Sequence, residues 1–222
     1  MKKLLLLVSI SFLALCLYGQ HAIRIYNKGN RMLQKGNYEK ARQLFSKAIR
    51  LDRFFPEAYY NRAWVRSELK DYAGAISDCS KAIDQNPQLT GAYNNRGRDK
   101  DALNDHTGAI EDYTKAIRLD TSYIKAYYNR GISWLELEKY EEAIADFTRT
   151  INLAPQMPDA WYNRGIAKEN SGDYTGAISD FSVSKKLDLN YTETYRNKFA
   201  GKDQDKGDKN STAGSGFIKR EQ

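Results

Sequence analysis

The sequence predicts an all-α fold: a solenoid of five 34-residue helix-turn-helix units followed by a partial sixth. Three observations carry this prediction. Asparagine recurs every 34 residues, at Asn27, Asn61, Asn95, Asn129, Asn163 and Asn197, with no insertion or deletion to break the spacing. Alanine holds the twentieth place of every unit, as Ala41, Ala75, Ala109, Ala143 and Ala177. All four prolines, Pro56, Pro87, Pro155 and Pro158, fall where helices should begin or end, because a residue without an N–H cannot sit inside one.

The units run over residues 22–55, 56–89, 90–123, 124–157 and 158–191, and each can be justified column by column. Position 4 carries Ile25, Tyr59, Tyr93, Tyr127 and Trp161, continued by Tyr195. Position 8 carries Gly29, Ala63, Gly97, Gly131 and Gly165. Position 24 carries Phe45, Cys79, Tyr113, Phe147 and Phe181, and position 27 carries Ala48, Ala82, Ala116, Thr150 and Ser184. Small residues at positions 8, 20 and 27 let two helices approach closely, and large ones at 4, 17 and 24 fill the space between them. Gly36-Asn37 and Gly172-Asp173 supply turns between the two helices of a unit. One such hairpin cannot bury its apolar face alone, so stability comes from stacking, and a chain that is 41% hydrophobic can still fold.

An aromatic, a small residue, then alanine, aromatic and proline in a 34-residue frame is the pattern of AYYNRAWVRSELKDYAGAISDCSKAIDQNP in the second unit. AWYNRGIAKENSGDYTGAISDFSVS repeats it in the fifth. This resembles the tetratricopeptide repeat (TPR) family. The resemblance implies a right-handed α-solenoid of five TPR units over residues 22–191, with residues 192–200 as a capping helix. It also implies a concave groove lined by the first helix of each unit.

The ends differ from the repeats. Lys2 and Lys3 precede an apolar stretch from Leu4 to Leu17, broken only by Ser9 and Ser11. As a helix this stretch spans about 21 Å, short of the roughly 30 Å hydrocarbon core of a bilayer. Residues 1–19 therefore read as a secretory signal peptide, which places the chain in the periplasm, the envelope or outside the cell. Leu13-Ala14-Leu15-Cys16 resembles a lipoprotein box, although Leu15 is larger than that pattern wants. Membrane attachment is expected only if Cys16 is lipidated or the leader stays uncleaved. Residues 201–222, including GKDQDKGDKNSTAGSG, are polar and mixed in charge and read as a disordered tail.

Function follows from the groove columns. The TPR resemblance places position 6 in the groove, so Asn27, Asn61, Asn95, Asn129, Asn163 and Asn197 form a candidate ladder. An amide has donors and an acceptor and can read an extended peptide backbone without regard to sequence. Bonds to the backbone of a neighbouring unit are the structural alternative, and both stand. Tyr26, Tyr60, Asn94, Tyr128 and Tyr162 at position 5, with Trp64 and Arg98 at position 9, complete the candidate peptide-binding set. Position 7 is basic throughout, but Arg62, Arg96, Arg130 and Arg164 coincide with Asp78, Asp112, Asp146 and Asp180 at position 23. The first unit has Lys28 with Leu44 instead. That matching predicts Arg–Asp pairs between the two helices of a unit rather than a positive groove.

Composition narrows the rest. The net charge of +7 is spread over all units and forms no basic stripe with stacking aromatics, which argues against a nucleic-acid partner. Cys79 stands in the Phe/Tyr column and reads as a packing residue. Only His21 and His106 are histidines, and no phosphate loop, metal cluster or nucleophile triad can be placed, so neither an enzyme nor a cofactor is expected. The chaperone-binding TPR clamp needs cations at positions 2, 5 and 6, where this chain has mostly Tyr and Asn, so an acidic chaperone tail is not implied. The expected function is an exported scaffold that binds a protein segment, with self-association through the open ends left open. The third unit, with His106 in the tyrosine column and GRDKDALND nearby, is expected to pack less well.

Overall fold

The computed structural model describes residues 19–187, and among these every regular element is a helix. The leader expected over 1–19, apart from Gly19, the capping helix expected at 192–200 with Asn197, and the tail expected at 201–222 lie outside the described residues. The helices are α1 over residues 19–34, α2 Tyr38–Leu51, α3 Pro56–Glu68, α4 Tyr72–Gln85, α5 Thr90–Ala102 and α6 His106–Leu119. They continue with α7 Ile124–Glu136, α8 Tyr140–Leu153, α9 Pro158–Ser171 and α10 Tyr174–Leu187. Helices α1–α6 belong to one compact unit ending at Leu119, and α7–α10 to a second starting at Asp120. Within each unit consecutive helices pack in sequence order, and first helices also touch one another, α3 with α5 and α7 with α9.

Local chemistry sets each hairpin. Pro56 and Pro158 sit in the first turn of α3 and α9, where a missing N–H costs nothing. The second helix starts under an Asx cap: Asn37, Asp71, Asp105 and Asp173 each accept from the backbone N–H three residues on, at 2.9–3.1 Å. Lys139 holds that place before α8 and makes no side-chain cap. The residue before the cap is left-handed in every hairpin: Gly36, Lys70, Asn104, Glu138 and Gly172 have φ of 57–94°. The glycine turns anticipated at 36 and 172 are thus one geometry shared by all five hairpins, three of which adopt it without glycine.

The core follows the columns. Ala41, Ala75, Ala109 and Ala143 are fully buried, as are Ala48, Ala82, Ala116, Thr150 and Ser184 at position 27. The two hydroxyls at position 27 are satisfied by carbonyls, Thr150 donating to Asp146 O and Ser184 to Pro158 O at 2.9 Å each. Position 8 touches position 24 across the hairpin. A Cβ on Gly29, Gly97, Gly131 or Gly165 would stand 2.5–2.8 Å from the ring of Phe45, Tyr113, Phe147 or Phe181. The second unit solves the same contact differently: Ala63 carries a Cβ and faces the smaller Cys79, both fully buried with Ala75. Cys79 is therefore a volume partner for Ala63, and burial pushes its thiol pKa well up, with the charge of Asp99 adding to the rise.

Gly131→Ala should cost about 1–3 kcal/mol of stability in chemical denaturation, because an aromatic ring must give way. The same change in a Phe147→Cys background should cost clearly less, reproducing the Ala63–Cys79 pairing. Lys139→Asp should stabilise by roughly 0.5–2 kcal/mol by supplying the missing cap, read as a rise in denaturation midpoint.

Candidate functional site

The first helices carry the candidate residues, and their asparagine column is occupied by contacts inside the protein. Asn61 donates from Nδ2 to the Tyr26 hydroxyl and to Asn30 Oδ1, both at 2.9 Å. Asn163 donates to the Tyr128 hydroxyl at 3.0 Å. The second-repeat phenol, Tyr60, is raised in pKa by burial, and the Asn95 amide behind it is buried with Nδ2 making no hydrogen bond. The Asn61–Tyr26 and Asn163–Tyr128 bonds join position 6 of one unit to position 5 of the unit before it. The partner is a phenol on the preceding first helix, which the sequence reading did not consider. The Tyr26 hydroxyl that accepts from Asn61 still has its own proton to give.

Accessibility along the set is uneven. Asn27 is exposed, Asn61 and Asn129 are half-buried, and Asn95 and Asn163 are buried. Tyr26, Tyr60 and Tyr128 keep part of their rings at the surface. Tyr162 is buried against Phe181 at 5.5 Å between ring centroids, and burial, with Glu169, pushes its hydroxyl up to about 12. Asn94 is also buried. Trp64 leans edge-on to Tyr38 at 5.7 Å and is half-buried. Arg98, 37% exposed, donates to the Ser67 hydroxyl at 3.0 Å and lies 3.9 Å from Glu68. On the α1–α3–α5 unit the reachable face therefore combines Asn27, Tyr26, Tyr60, Trp64, Glu68 and Arg98.

The basic column is spent inside each hairpin. Arg62, Arg96, Arg130 and Arg164 grip Asp78, Asp112, Asp146 and Asp180 with Nε and Nη2 at 2.6–2.9 Å, a two-pronged contact in each case. Arg62, Arg96 and Arg164 also donate to a hydroxyl of the preceding second helix, Ser46, Ser80 or Thr148, at 3.0–3.1 Å. Their guanidinium groups lie over the position-4 ring, from 4.9 Å at Trp161 to 5.6 Å at Tyr59 and Tyr93. The buried aspartates take a further donor that the sequence reading missed. Arg66, Lys100 and Lys168 at position 11 approach Asp78, Asp112 and Asp180 at 2.8–3.0 Å. In the fourth repeat the indole of Trp134 does this for Asp146, whose carboxyl pKa is raised by burial against the lowering by Arg130 and Trp134. The signal was present: Met32 fills position 11 in the one repeat that has Leu44 instead of aspartate.

The third repeat closes its polar substitutions on itself. Asp101 accepts from the Tyr113 hydroxyl at 2.7 Å and pairs with His106 Nδ1 at 2.9 Å. The residue expected to weaken packing is thus held by its own hairpin. Among the described residues no His/Cys/Asp/Glu group is arranged to hold a metal ion, and no helix is long and apolar enough to cross a membrane.

Helical hairpins with this spacing and this side-chain ladder define a protein-interaction scaffold of repeat type. Family models agree: tetratricopeptide repeat models match residues 26–90 and 124–157, and a TPR repeat model matches residues 102–137. The chain belongs to the tetratricopeptide repeat family. Comparison with curated proteins returned no match. Among solved structures, MamA (residues 41 to the end) from Desulfovibrio magneticus RS-1 is similar at 20% identity and TM-score 0.71, covering 75% of this chain and 94% of that one. YrrB, described as a TPR protein with an unusual peptide-binding site, is similar at 20% identity and TM-score 0.69, covering 80% and 91%. The first TPR of Spaghetti (RPAP3), bound to the HSP90 peptide SRMEEVD, is 30% identical over 54% of this chain and 94% of that one, with TM-score 0.53.

Arg130→Ala should destabilise by about 3 kcal/mol, because it leaves the Asp146 carboxylate buried without its main partner. Asp146→Ala added on top should cost little more. A double-mutant cycle by urea denaturation measures this, and additive losses would show the two residues acting independently.

Proposed function

We propose that the chain is a non-enzymatic scaffold that binds a polypeptide segment along its first-helix face, and that it does so outside the cytoplasm. The observation that carries the binding reading is the α1–α3–α5 face. There the Asn61 amide holds the Tyr26 hydroxyl, Tyr60 keeps part of its ring at the surface, and Asn27, Trp64, Glu68 and Arg98 stand around them within reach of a ligand. Ring edges and a half-exposed indole suit apolar side chains, while the phenol and amide groups suit a peptide backbone. The peptide-bound RPAP3 repeat and the peptide site in YrrB's description support a peptide as the ligand.

The ligand differs in kind from an acidic C-terminal tail such as SRMEEVD. The four position-7 arginines are neutralised by buried aspartates, and Gly91, Tyr60 and Asn95 stand where a carboxylate clamp wants cations. A mixed-charge segment that places an acidic residue by Arg98 and a basic one by Glu68 fits better. Export rests on the leader over residues 1–19. A tethered form acting in envelope assembly is the second reading, favoured by Leu13-Ala14-Leu15-Cys16.

A peptide array probed with residues 20–222 should yield binders that Trp64→Ala with Arg98→Ala weakens about tenfold or more, at an unchanged melting temperature. Equal binding by the double variant would move the ligand off this face. Fractionation of cells carrying Cys16→Ser separates the two export readings: unchanged location excludes lipidation.

A further inference from the structure

The inner wall of the third repeat holds an acid with no counterpart elsewhere in the chain. Position 10 is Val65, Ser133 and Ala167 in three other repeats, all fully buried. In the third repeat it is Asp99, 1% exposed. One carboxyl oxygen, Oδ1, accepts from the Ser67 hydroxyl on α3, and Oδ2 is buried with no hydrogen-bond partner. A charged carboxylate in that setting forfeits its hydration without full replacement, whereas the neutral acid forfeits far less.

We propose that Asp99 makes the α3–α5 packing an acid-stabilised joint, firm when the carboxyl carries a proton and loosened when it ionises. The surroundings agree with this sign. Facing Asp99 are Glu68 on α3, Cys79 on α4, Tyr113 on α6 and Arg98 on its own helix. Burial keeps the Cys79 thiol and the Tyr113 phenol neutral, both pKa values being pushed upward. Arg98 is the one cation of this set, and it is partly exposed and shared with Glu68. Burial accordingly lifts the Asp99 carboxyl to about 6, the Ser67 bond and Arg98 pulling down and Glu68 pushing up. Because the folded pKa is raised, the group favours the fold fully below its unfolded value near 4 and loses that contribution as pH rises through about 6. Ser67 also accepts from Arg98, so a single hydroxyl links the proton on Asp99 to the first-helix face.

The test compares thermal melts of the full chain and of Asp99→Asn across a pH series. At about pH 7.5 the variant should melt higher by roughly 3–6 °C, and the gap should narrow as pH falls through about 6 and close below about 4, where the carboxyl is neutral folded and unfolded alike. Carbon-13 NMR of labelled aspartate gives a reading that does not depend on the variant: one buried carboxyl should titrate near 6 and disappear from the Asp99→Asn spectrum. Parallel melting curves, a variant less stable at pH 7.5, or an Asp99 that titrates near 4 would each overturn the joint.

Discussion

The structure depends on one arrangement more than any other: an aspartate buried in the second helix of four repeats and gripped from the first. A carboxylate at position 23 would be ruinous alone, since desolvation costs several kcal/mol. It is tolerated because the guanidinium at position 7 meets both oxygens and a second donor at position 11 takes a further lone pair. The same guanidinium reaches back to a hydroxyl of the previous second helix and rests over an aromatic ring. One side chain thus ties together the two helices of a hairpin and the hairpin behind it. The close approach that this needs is supplied by the alanine and glycine columns, whose missing atoms let the helices come near enough for the fork to close.

Much of this was legible in the sequence because a strict period exposes columns. The five hairpins, the alanine seam and the Arg–Asp pairs follow from residue types at fixed places. The period is silent on which column touches which across an interface. The asparagines are plain to see, but that their amides reach phenols one unit back is a fact of helix packing. Position 11 was hidden because arginine, lysine and tryptophan share only the ability to donate a hydrogen bond. The left-handed turn was visible where glycine marks it, at Gly36 and Gly172, and invisible at Lys70, Asn104 and Glu138.

The third repeat shows how local departures are accommodated. His106 stands where the other repeats carry tyrosine, and Asp101 and Tyr113 add two more polar groups beside it. Together they satisfy one another. Asp99 is different in kind, since its second oxygen meets no donor. Compensation inside one hairpin and an uncompensated charge beside it mark this repeat as the place where the stack departs from uniform behaviour. It also sits under the half-exposed Arg98 of the candidate face.

The arginine fork has a direction. Within a compact unit each repeat offers a hydroxyl to the one ahead: Ser46 serves Arg62, Ser80 serves Arg96, and Thr148 serves Arg164. The first repeat offers Ser46 but has Lys28, Met32 and Leu44 in place of the charged trio, so it gives support without needing any. It behaves as a starting block, and the repeats after it carry the same arginine fork in the same place. A chain built this way can change length by duplicating a link without redesigning a joint, so reach along a partner is a quantity that gene duplication alone can adjust.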